Sequence, residues 1–393
     1  MHYLKEAQAL KEQMVQWRRH IHRNPEVGLD TKETAAYVSD QLKAMGYDPK
    51  PCGKNGVTAS LGQGEKTLLL RADMDALEQT EESGLPFASE KPGVSHGCGH
   101  DLHTTMLLGA AQLLKAHEKD LQQKIVFMFQ PAEEIFAGAQ SMIDDGILAD
   151  NQVDYAFAVH NMPTLPVGTV ALTEGPFMPS VDGFTITIQG QGCHGASAQE
   201  GVDPINIGAH LHLALQTLIA REINYQTEAL LTIGTFQAGT TGNIIPDQAI
   251  LTGTLRAMDP DVRTFLKDRL ETVSRLTAES FRGSAQVTWD YSIPANITDP
   301  DRIRQLKGAL QAINSAEEAA GTDQRLTLEE GGLLNASEDF ALVAAQVPAA
   351  FLRIGSRSAD SQDCNILHNP KVILNEDALP IGAAVFTAVA LEA

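Results

Sequence analysis

The chain has 393 residues and a formal net charge of −21, and 43% of its residues are hydrophobic. The acidic surplus argues against a nucleic acid or an anionic membrane as a partner, because both are bound through basic surfaces. The four cysteines form no CxxC pair, which disfavours a disulfide framework and favours a reducing cytoplasm. Since the length exceeds what one hydrophobic core usually supports, we expect two domains.

The first 180 residues alternate between helical and strand patterns. Apolar residues at helical spacing predict an amphipathic helix over 3–22. Asp30 and Glu33 resemble a capping box for the next helix, which Gly46 ends. Buried strands and helices then follow, namely KTLLLRAD, a helix over 101–118, QKIVFMFQP, a helix over 137–146 and DYAFAVH. Such continuously apolar strands predict a mostly parallel α/β sheet covered on both faces.

From about Val181 the pattern changes to strands that alternate between apolar and polar residues. The predicted elements are the strand FTITIQG, a helix over 204–222, strands over 229–237 and 248–257, a helix over 261–282 and a strand over 285–291. This β-α-β-β-α-β order is typical of a ferredoxin-like fold.

The α/β pattern returns after this region. It comprises a helix over 300–320, a helix from Ser337, the strand AAFLRIG and a helix over 376–391. We therefore predict a ferredoxin-like domain over 181–292. It is inserted into a catalytic α/β domain formed by residues 1–180 and 293–393.

Side chains that can bind a metal follow four of the predicted buried strands. They are Asp73 with Asp75, Glu133 with Glu134, His160, and His368. Because ligands of open α/β sheets bind beyond the carboxyl ends of the strands, we expect these side chains to meet in one site. Taken singly, a histidine such as His160 or His368 is more often a hydrogen-bonded structural residue, and only the shared location favours a metal ligand.

The stretch HGCGHD adds Cys98 and His100, which alternate with glycines that permit a tight loop. Thiolate, imidazole and carboxylate ligands suit zinc and tolerate manganese, cobalt or nickel. A glycine-rich turn with Asp101 starting a helix is the structural alternative. A redox role for Cys98 would need a resolving cysteine, and the loop contains no second cysteine.

The adjacent pair Glu133 and Glu134 points in two directions, so one can bind metal while the other acts as a base. The spacing does not say which residue takes which role, and an exposed acidic turn remains the alternative. In the predicted insertion, His194 follows a strand, Asn243 lies in a turn and Arg256 lies near a strand end. Taken singly, each of these three is better explained as an ordinary turn or surface residue than as a functional one.

Eight motifs occur in the order seen in a family of two-metal amidohydrolases. They are RRHIHRNPEVG, RADMDAL, HGCGHDLHTT, FQPAEE, AVHNMP, NIIPD, ASEDF and LHNP. That family includes aminoacylases, hippurate hydrolases, auxin-conjugate hydrolases and related carboxypeptidases. The chain resembles its Cys-containing N-acyl-amino-acid amidohydrolase branch over essentially the whole length.

The resemblance implies two divalent metal ions per subunit, with zinc foremost and manganese, cobalt or nickel as alternatives. The implied ligands are Cys98, His100, Glu134, His160 and His368. Glu133 would be the general base and acid for hydrolysis by a metal-activated water, and Asp75 would orient a ligand such as His100. The implied substrate is a small N-acyl amino acid or a short peptide.

The resemblance also assigns roles in the inserted domain, which in this family is a lid that dimerises. His194 would stabilise the oxyanion in the active site of a partner subunit. Asn243 and Arg256 would hold the carbonyl and the carboxylate of the substrate. A homodimer through this domain, or a homotetramer, is therefore expected.

The chain departs from the family pattern at a few positions outside the implied ligands. Glu78 stands where Pro is common, Cys193 where Gly is usual, and Ala198 and Gln199 where a Pro-His pair is common. These departures bear on the substrate and on the fit of the inserted domain. The leading hypothesis is a metal-dependent N-acyl-amino-acid hydrolase. A dipeptidase or carboxypeptidase on the same scaffold is the nearest alternative, and a non-catalytic metal- or peptide-binding protein is the alternative from another class.

Overall fold

The computed structural model of the chain describes residues 2–321, 325–357 and 366–392, so that Cys364 lies outside the described residues. Among the helices in these ranges, none has the length and apolar character needed to cross a membrane. The chain divides into two compact units. The first comprises Met1–Gly175, Ile297–Leu333 and Glu338–Ala393, and the second comprises Pro176–Asn296 and Leu334–Ser337.

The α-helices in the described ranges are α1 (Tyr3–Ala9), α2 (Lys11–Arg23), α3 (Lys32–Ala44), α4 (His100–Ala116), α5 (Gly138–Asp144), α6 (Pro204–Thr217), α7 (Pro260–Ser280), α8 (Pro300–Ala319), α9 (Ala341–Ala344) and α10 (Ala378–Glu392). Helices α6, α7 and α8 each begin with an Asp-Pro pair. The carboxylates of Asp203, Asp259 and Asp299 accept hydrogen bonds from the first free N–H groups of these helices. The proline that follows lacks an N–H at a position where none is needed, so this pair fixes the helix start.

The strands in the described ranges are β1 (Lys50–Cys52), β2 (Gly56–Leu61), β3 (Thr67–Asp73), β4 (Lys124–Gln130), β5 (Tyr155–Pro166), β6 (Thr169–Leu172), β7 (Gly175–Met178), β8 (Val181–Gln189), β9 (Cys193–His194), β10 (Ala229–Ala238), β11 (Ile244–Ile245), β12 (Gln248–Ala257), β13 (Ser284–Ile293), β14 (Asn296–Thr298), β15 (Thr327–Glu330) and β16 (Ala349–Arg357).

The first unit is built on a sheet with the strand order β1-β2-β4-β3-β5-β16-β6-β15. Its four central strands, β4, β3, β5 and β16, are parallel to one another. Every residue of β3 is buried, as expected for a strand covered on both faces. The apolar side of α4 packs against α10 and α2 within the same hydrophobic core. The parallel arrangement brings the carboxyl ends of the four central strands to one edge.

The second unit has a four-stranded antiparallel sheet in the order β10-β12-β8-β13. Alternate residues of β8, including Phe184, Ile186 and Ile188, are buried with apolar residues of α6 and α7. A short ladder between β9 and β11 lies outside this sheet. The predicted fold class, a mostly parallel α/β sheet with a ferredoxin-like β-α-β-β-α-β segment, is confirmed.

Several local predictions are wrong in detail. The helix predicted over 3–22 is two helices, α1 and α2, which are separated at Leu10. The predicted capping box is absent from α3: its first free N–H groups, at Glu33 and Thr34, donate to the Glu26 carboxylate instead. The helix predicted from Ser337 is only the single turn of α9.

Candidate metal centre

The predicted site residues of the first unit gather beyond the parallel strands. Asp73 ends β3, while Glu133 and Glu134 follow β4. His160 does not end its strand as predicted, because β5 continues to Pro166. It nevertheless lies beyond Ala158, the last residue of β5 that pairs with β3. The adjacency of these strands therefore brings together residues that are far apart in sequence.

The HGCGHD stretch turns sharply into α4 because of Gly99. Its φ of 89° lies in the left-handed region, which favours glycine. A Cβ atom at this position would lie 2.2 Å from Nδ2 of Asn161. That amide donates a hydrogen bond of 2.7 Å to the carbonyl of Cys98. The turn therefore sets the position of Cys98 just before His100 begins the helix.

The five predicted metal ligands form overlapping groups. In each group the ligand atoms lie within 4.8 Å of one another, and the groups are Cys98 with His100 and His160, Cys98 with Glu134 and His368, and His100 with Glu133 and Glu134. Sγ of Cys98 is 3.5 Å from Nε2 of His160. Nε2 of His368 is 3.4 Å from Oε1 of Glu134. Cys98 belongs to two of the groups, so the arrangement has the form of two adjoining sites.

The chemistry of the buried atoms tests whether a cation fits here. Nε2 of His100 and Oε1 of Glu134 are buried 3.7 Å apart. Neither atom makes a hydrogen bond of good geometry among the described residues, although Nε2 of His368 lies 3.4 Å from the same Glu134 oxygen. Leaving buried polar atoms unpaired is costly, whereas a metal ion between them would satisfy both. The residues therefore fit a divalent cation.

The neighbouring Asp73 fits a cation less well because its oxygens are already engaged. Asp73 accepts from Arg71 at 2.7 Å and from Nδ1 of His103 at 2.6 Å. Nε2 of His103 in turn accepts the backbone N–H of Asn161 at 2.8 Å. The Asp73–His103 pair is thus a structural contact.

Hydrogen bonds orient the imidazoles of the proposed ligands. Nδ1 of His160 donates to the carbonyl of Asn161 at 2.7 Å, which leaves its Nε2 lone pair facing Cys98. Nδ1 of His100 lies 3.3 Å from Oδ1 of Asp75. The other oxygen of Asp75 accepts the backbone N–H of Glu134 at 3.1 Å. Both rings therefore present Nε2 to the centre.

The electrostatic environment separates the two adjacent glutamates. Burial raises the pKa of Glu133 well above its usual range, and the carboxylates of Glu338, Glu134 and Asp339 raise it further. Burial also acts to raise the pKa of Glu134, but His368 and His100 more than compensate and lower it. Glu133 is thus the stronger proton acceptor of the pair, while Glu134 favours its anionic form.

The imidazoles and the thiol of the centre have shifted pKa values as well. Hydrogen bonding to Cys98 and Glu134 raises the pKa of His368 to about 10. Burial lowers the pKa of His160, and it raises that of Cys98. Burial acts to lower the pKa of His100 as well, but Asp73 and Cys98 outweigh it and raise the value.

Three buried residues beside Glu133 carry no role in the sequence-based prediction. Arg71 is fully buried and lies 2.8 Å from Glu338 and 3.1 Å from Asp339. Oxygens of Glu133, Glu338 and Asp339 lie within 4.8 Å of one another. A charged residue inside the apolar run LLLR was a signal for Arg71, because such a residue needs buried partners.

The other predicted site residues lie in the second unit. The β9–β11 ladder pairs His194 with Ile244, and Gly195 donates its N–H to the carbonyl of Asn243 at 2.9 Å, so His194 and Asn243 are close. Nδ1 of the exposed His194 accepts the N–H of Ala196 at 3.1 Å, which leaves Nε2 as a donor. Arg256 donates to Oγ of Ser337 at 2.9 Å.

The chain is similar to known hydrolases over almost its whole length. A sequence profile of the peptidase family M20/M25/M40 matches residues 69–392. The N-acetyl-L-cysteine deacetylase of Bacillus subtilis (strain 168) is 38% identical, with 94% of this chain and 85% of that protein covered. Thermostable carboxypeptidase 2 of Saccharolobus solfataricus is 32% identical, with 98% of this chain and 96% of that protein covered.

A solved structure supports the same relationship. The YXEP protein of Bacillus subtilis, described as a dinuclear metal binding peptidase from the M20 family, matches with a TM-score of 0.81 at 30% identity. The match covers 98% of each chain. The family resemblance predicted from the motifs is therefore confirmed.

Proposed function

Because the chain belongs to the peptidase family M20/M25/M40, we propose that it releases the acyl group from N-acyl amino acids by metal-dependent hydrolysis. Family membership makes the chain a metal-dependent amidohydrolase that acts on small molecules. The observation that carries the finer proposal is the position of Nε2 of His100 and Oε1 of Glu134, two buried atoms 3.7 Å apart without a hydrogen bond of good geometry, beside the buried Glu133.

The proposed ligands are divided between two ions. Cys98, His100 and His160 would hold one ion, and Cys98, Glu134 and His368 would hold the other. The mixture of thiolate, imidazole and carboxylate supports zinc, while manganese, cobalt and nickel remain compatible. When bound, such ions supply Lewis-acid activation of a water molecule and of the substrate carbonyl.

Glu133 is the proposed general base and acid. Its carboxylate accepts a proton from the attacking water and delivers it to the amine nitrogen as the C–N bond breaks. The raised pKa of Glu133, caused by burial and by the nearby carboxylates, suits both the uptake and the release of this proton. Asp75 orients the imidazole of His100, and its distance of 3.3 Å from Nδ1 supports this role.

The residues of the second unit are proposed for substrate contacts on the basis of the family resemblance. His194 would donate a hydrogen bond from Nε2 to the developing oxyanion, and its tautomer supports this role. Asn243 would hold the substrate carbonyl, and the planar guanidinium of Arg256 suits a substrate carboxylate.

The choice of an N-acyl amino acid over a peptide rests on relatives. The N-acetyl-L-cysteine deacetylase from Bacillus subtilis, at 38% identity, supports the acyl amino acid. Thermostable carboxypeptidase 2 from Saccharolobus solfataricus, at 32% identity, supports the alternative of a carboxypeptidase or dipeptidase. Both reactions would use the same metal centre and Glu133.

Assembly and cellular location are further parts of the proposal. A homodimer through the second unit, or a homotetramer, is proposed from the family resemblance. A reducing cytoplasm is supported by the free thiols of Cys52, Cys98 and Cys193.

The proposal is tested with a substrate panel on apoprotein supplied with zinc, manganese, cobalt or nickel. N-acetyl, N-benzoyl and indole-acetyl amino acids are compared with dipeptides. We expect the acyl amino acids to be hydrolysed faster. Glu133→Gln should retain its metal content and lose about 10²- to 10⁴-fold in kcat. Glu330→Gln, which changes an exposed glutamate, is the control. Absence of hydrolysis with every metal, or unchanged turnover in Glu133→Gln, would contradict the proposal.

A further inference from the structure

His368 has a backbone conformation that its surroundings must hold in place. Its φ of 62° lies in the left-handed region, which costs a non-glycine residue about 1–3 kcal/mol. Its side chain is 53% exposed, so packing of the imidazole contributes little to fixing it. A metal ligand at such a position depends on contacts made by its own backbone.

Two segments of the first unit make those contacts. The N–H of His368 donates to the carbonyl of Gly97 at 2.9 Å. Its carbonyl accepts from Nε2 of Gln79 at 2.5 Å. Two residues further on, the carbonyl of Pro370 accepts the N–H of Glu82 at 2.8 Å. The segment 79–82 thus holds the His368 backbone from one side, while the loop that carries Cys98 holds it from the other.

The segment 79–82 is itself anchored by a buried histidine. Nε2 of His22 lies 3.2 Å from Oε1 of Glu81, and its Nδ1 lies 2.8 Å from Oδ2 of Asp101. The side chain of His22 is only 6% exposed. Because both ring nitrogens face carboxylates, His22 is an imidazolium that donates to both. Burial acts to lower the pKa of His22, but Asp101 and Glu81 outweigh it and raise the value.

The anchor therefore links the two sequence regions that carry proposed metal ligands. Asp101 follows His100 directly, and Arg18 fixes the same Asp101 oxygen at 2.8 Å. Glu81 also accepts the N–H of Ser89 at 2.7 Å, so it is held on a second side. A series of contacts therefore connects the start of α4 with His22 and His22 with Glu81. The backbone of the segment 79–82 joins Glu81 to Gln79, which contacts the backbone of His368.

From this series of contacts we propose that Gln79 and His22 are positioning residues for His368 and hence for the metal site to which His368 contributes. Neither residue belongs to the proposed ligand groups, and both act through the backbone of the 368–370 segment. The inference rests on the proposed function, since it takes His368 to be a ligand. Loss of a contact that orients a metal ligand typically costs about 10- to 100-fold in metal affinity.

The test measures zinc stoichiometry and affinity of the full chain by calorimetric titration and metal analysis, without reference to turnover. Wild type should bind two ions, and His368→Ala should lose or strongly weaken one site. Gln79→Ala should keep two sites with one weakened about 10- to 100-fold. Gln122→Ala removes an exposed amide that also donates to a backbone carbonyl, so it is the matched control and should bind as wild type does.

Non-additivity identifies which site is affected. In the His368→Ala background, Gln79→Ala should produce no further change in the affinity of the remaining site. His22→Gln should likewise weaken one zinc site and have no further effect in the His368→Ala background. If the buried His22 variant does not fold, the zinc affinities of Gln79→Ala alone test the inference.

Two results would overturn the inference in distinguishable ways. Zinc stoichiometry and affinities in His368→Ala that both equal those of wild type would remove the ligand assignment on which the inference rests. The positioning role would be overturned if His368→Ala loses or weakens one zinc site while Gln79→Ala either binds zinc as wild type does or weakens both sites equally. The proposed function would remain intact in that case.

Discussion

Arg71 and Glu338 form a buried ion pair across 267 residues of sequence, with Nη2 of Arg71 2.8 Å from Oε1 of Glu338. The same guanidinium contacts Asp73 at 2.7 Å and Asp339 at 3.1 Å, and all four side chains are at most 3% exposed. Burial acts to lower the pKa of Arg71, but the three carboxylates outweigh it and raise the value. One cation therefore compensates several buried carboxylates beside Glu133, the proposed general base.

Replacement of Arg71 by Met should destabilise the protein strongly. The new side chain fills similar space but leaves the buried acidic side chains that contact Arg71 without their cation, which typically costs about 3–5 kcal/mol. Urea unfolding monitored by circular dichroism measures the change. Arg275→Met removes an exposed pair with Glu279 and should change the free energy of unfolding by less than about 0.5 kcal/mol. Equal effects of the two substitutions would show that burial of the Arg71 network is unimportant.

Replacement of Gly99 by Ala should disturb the centre beyond the backbone cost alone. The new Cβ would lie 2.2 Å from Nδ2 of Asn161, whose amide holds the carbonyl of Cys98. Gly93 is a matched control, because its φ is 78° and a Cβ added there would have no neighbouring atom within 4 Å. Both substitutions carry a left-handed backbone cost of about 1–2 kcal/mol.

Zinc titration and urea unfolding of the two variants separate these contributions. We expect Gly99→Ala to be destabilised by about 1–3 kcal/mol more than Gly93→Ala and to bind zinc more weakly. If the two alanine variants behave alike, the close approach of Asn161 does not constrain the turn.

The sequence was sufficient to predict the elements whose pattern is local. Neighbouring residues are enough to explain these elements: β3 contains an uninterrupted apolar run, and α6, α7 and α8 each start at an Asp-Pro pair. Neighbouring residues do not explain the start of α3, because its free N–H groups donate to Glu26. That contact depends on how the preceding loop folds back. The continuation of β5 past His160 likewise depends on its pairing with β16.

The same division applies to the site. The placement of Asp73, Glu133 and Glu134 at strand ends follows from strand patterns and from the general position of ligand sites in parallel sheets. The partners of Arg71 could not be predicted, since Glu338 and Asp339 come from a distant segment with no regular pattern. The anchor between His22 and Glu81 is equally non-local, because three separate segments contribute to it.

Replacement of Cys98 by Asp should change the metal preference of the centre. A carboxylate can still reach both proposed ions, but it is a harder ligand than a thiolate and favours manganese relative to zinc. Competition titrations with both metals should show at least about a tenfold shift in relative affinity toward manganese. Cys52→Ser changes another buried thiol, which donates to the carbonyl of Met142, and should leave the ratio unchanged. An unaltered ratio in Cys98→Asp would exclude Cys98 as a ligand.

Replacement of His194 by Ala should lower turnover without altering the metal centre. Loss of one oxyanion donor typically lowers kcat by about 10²- to 10³-fold. Because His194 is exposed, the free energy of unfolding should change by less than about 0.5 kcal/mol. Steady-state kinetics with metal analysis check both statements, and His212→Ala on α6 is the control. Wild-type kcat in His194→Ala would remove His194 from the proposed mechanism.

The stabilising effect of His22 should depend on pH. Its pKa is raised in the folded protein by Asp101 and Glu81, against the opposing effects of burial and of Arg18. His96 also faces this group, but burial lowers the pKa of His96 to about 3 and keeps it neutral near pH 7. Since the folded pKa lies above the ordinary value of 6.5, the contribution is complete below that pH and is lost as pH rises through the folded pKa.

Glu81 sets the lower limit of the pH range in which its contact with His22 stabilises the protein. Burial acts to raise its pKa, but His22, Ser83 and the N–H of Ser89 lower it to about 2. Its contribution is therefore present above the ordinary value of 4.5 and is lost as pH falls toward 2. Urea unfolding of wild type and His22→Gln between pH 5 and 10 tests the upper limit. The difference in free energy of unfolding should be largest near pH 5–6 and should shrink at alkaline pH, whereas a constant difference would mean that His22 is not held as an imidazolium.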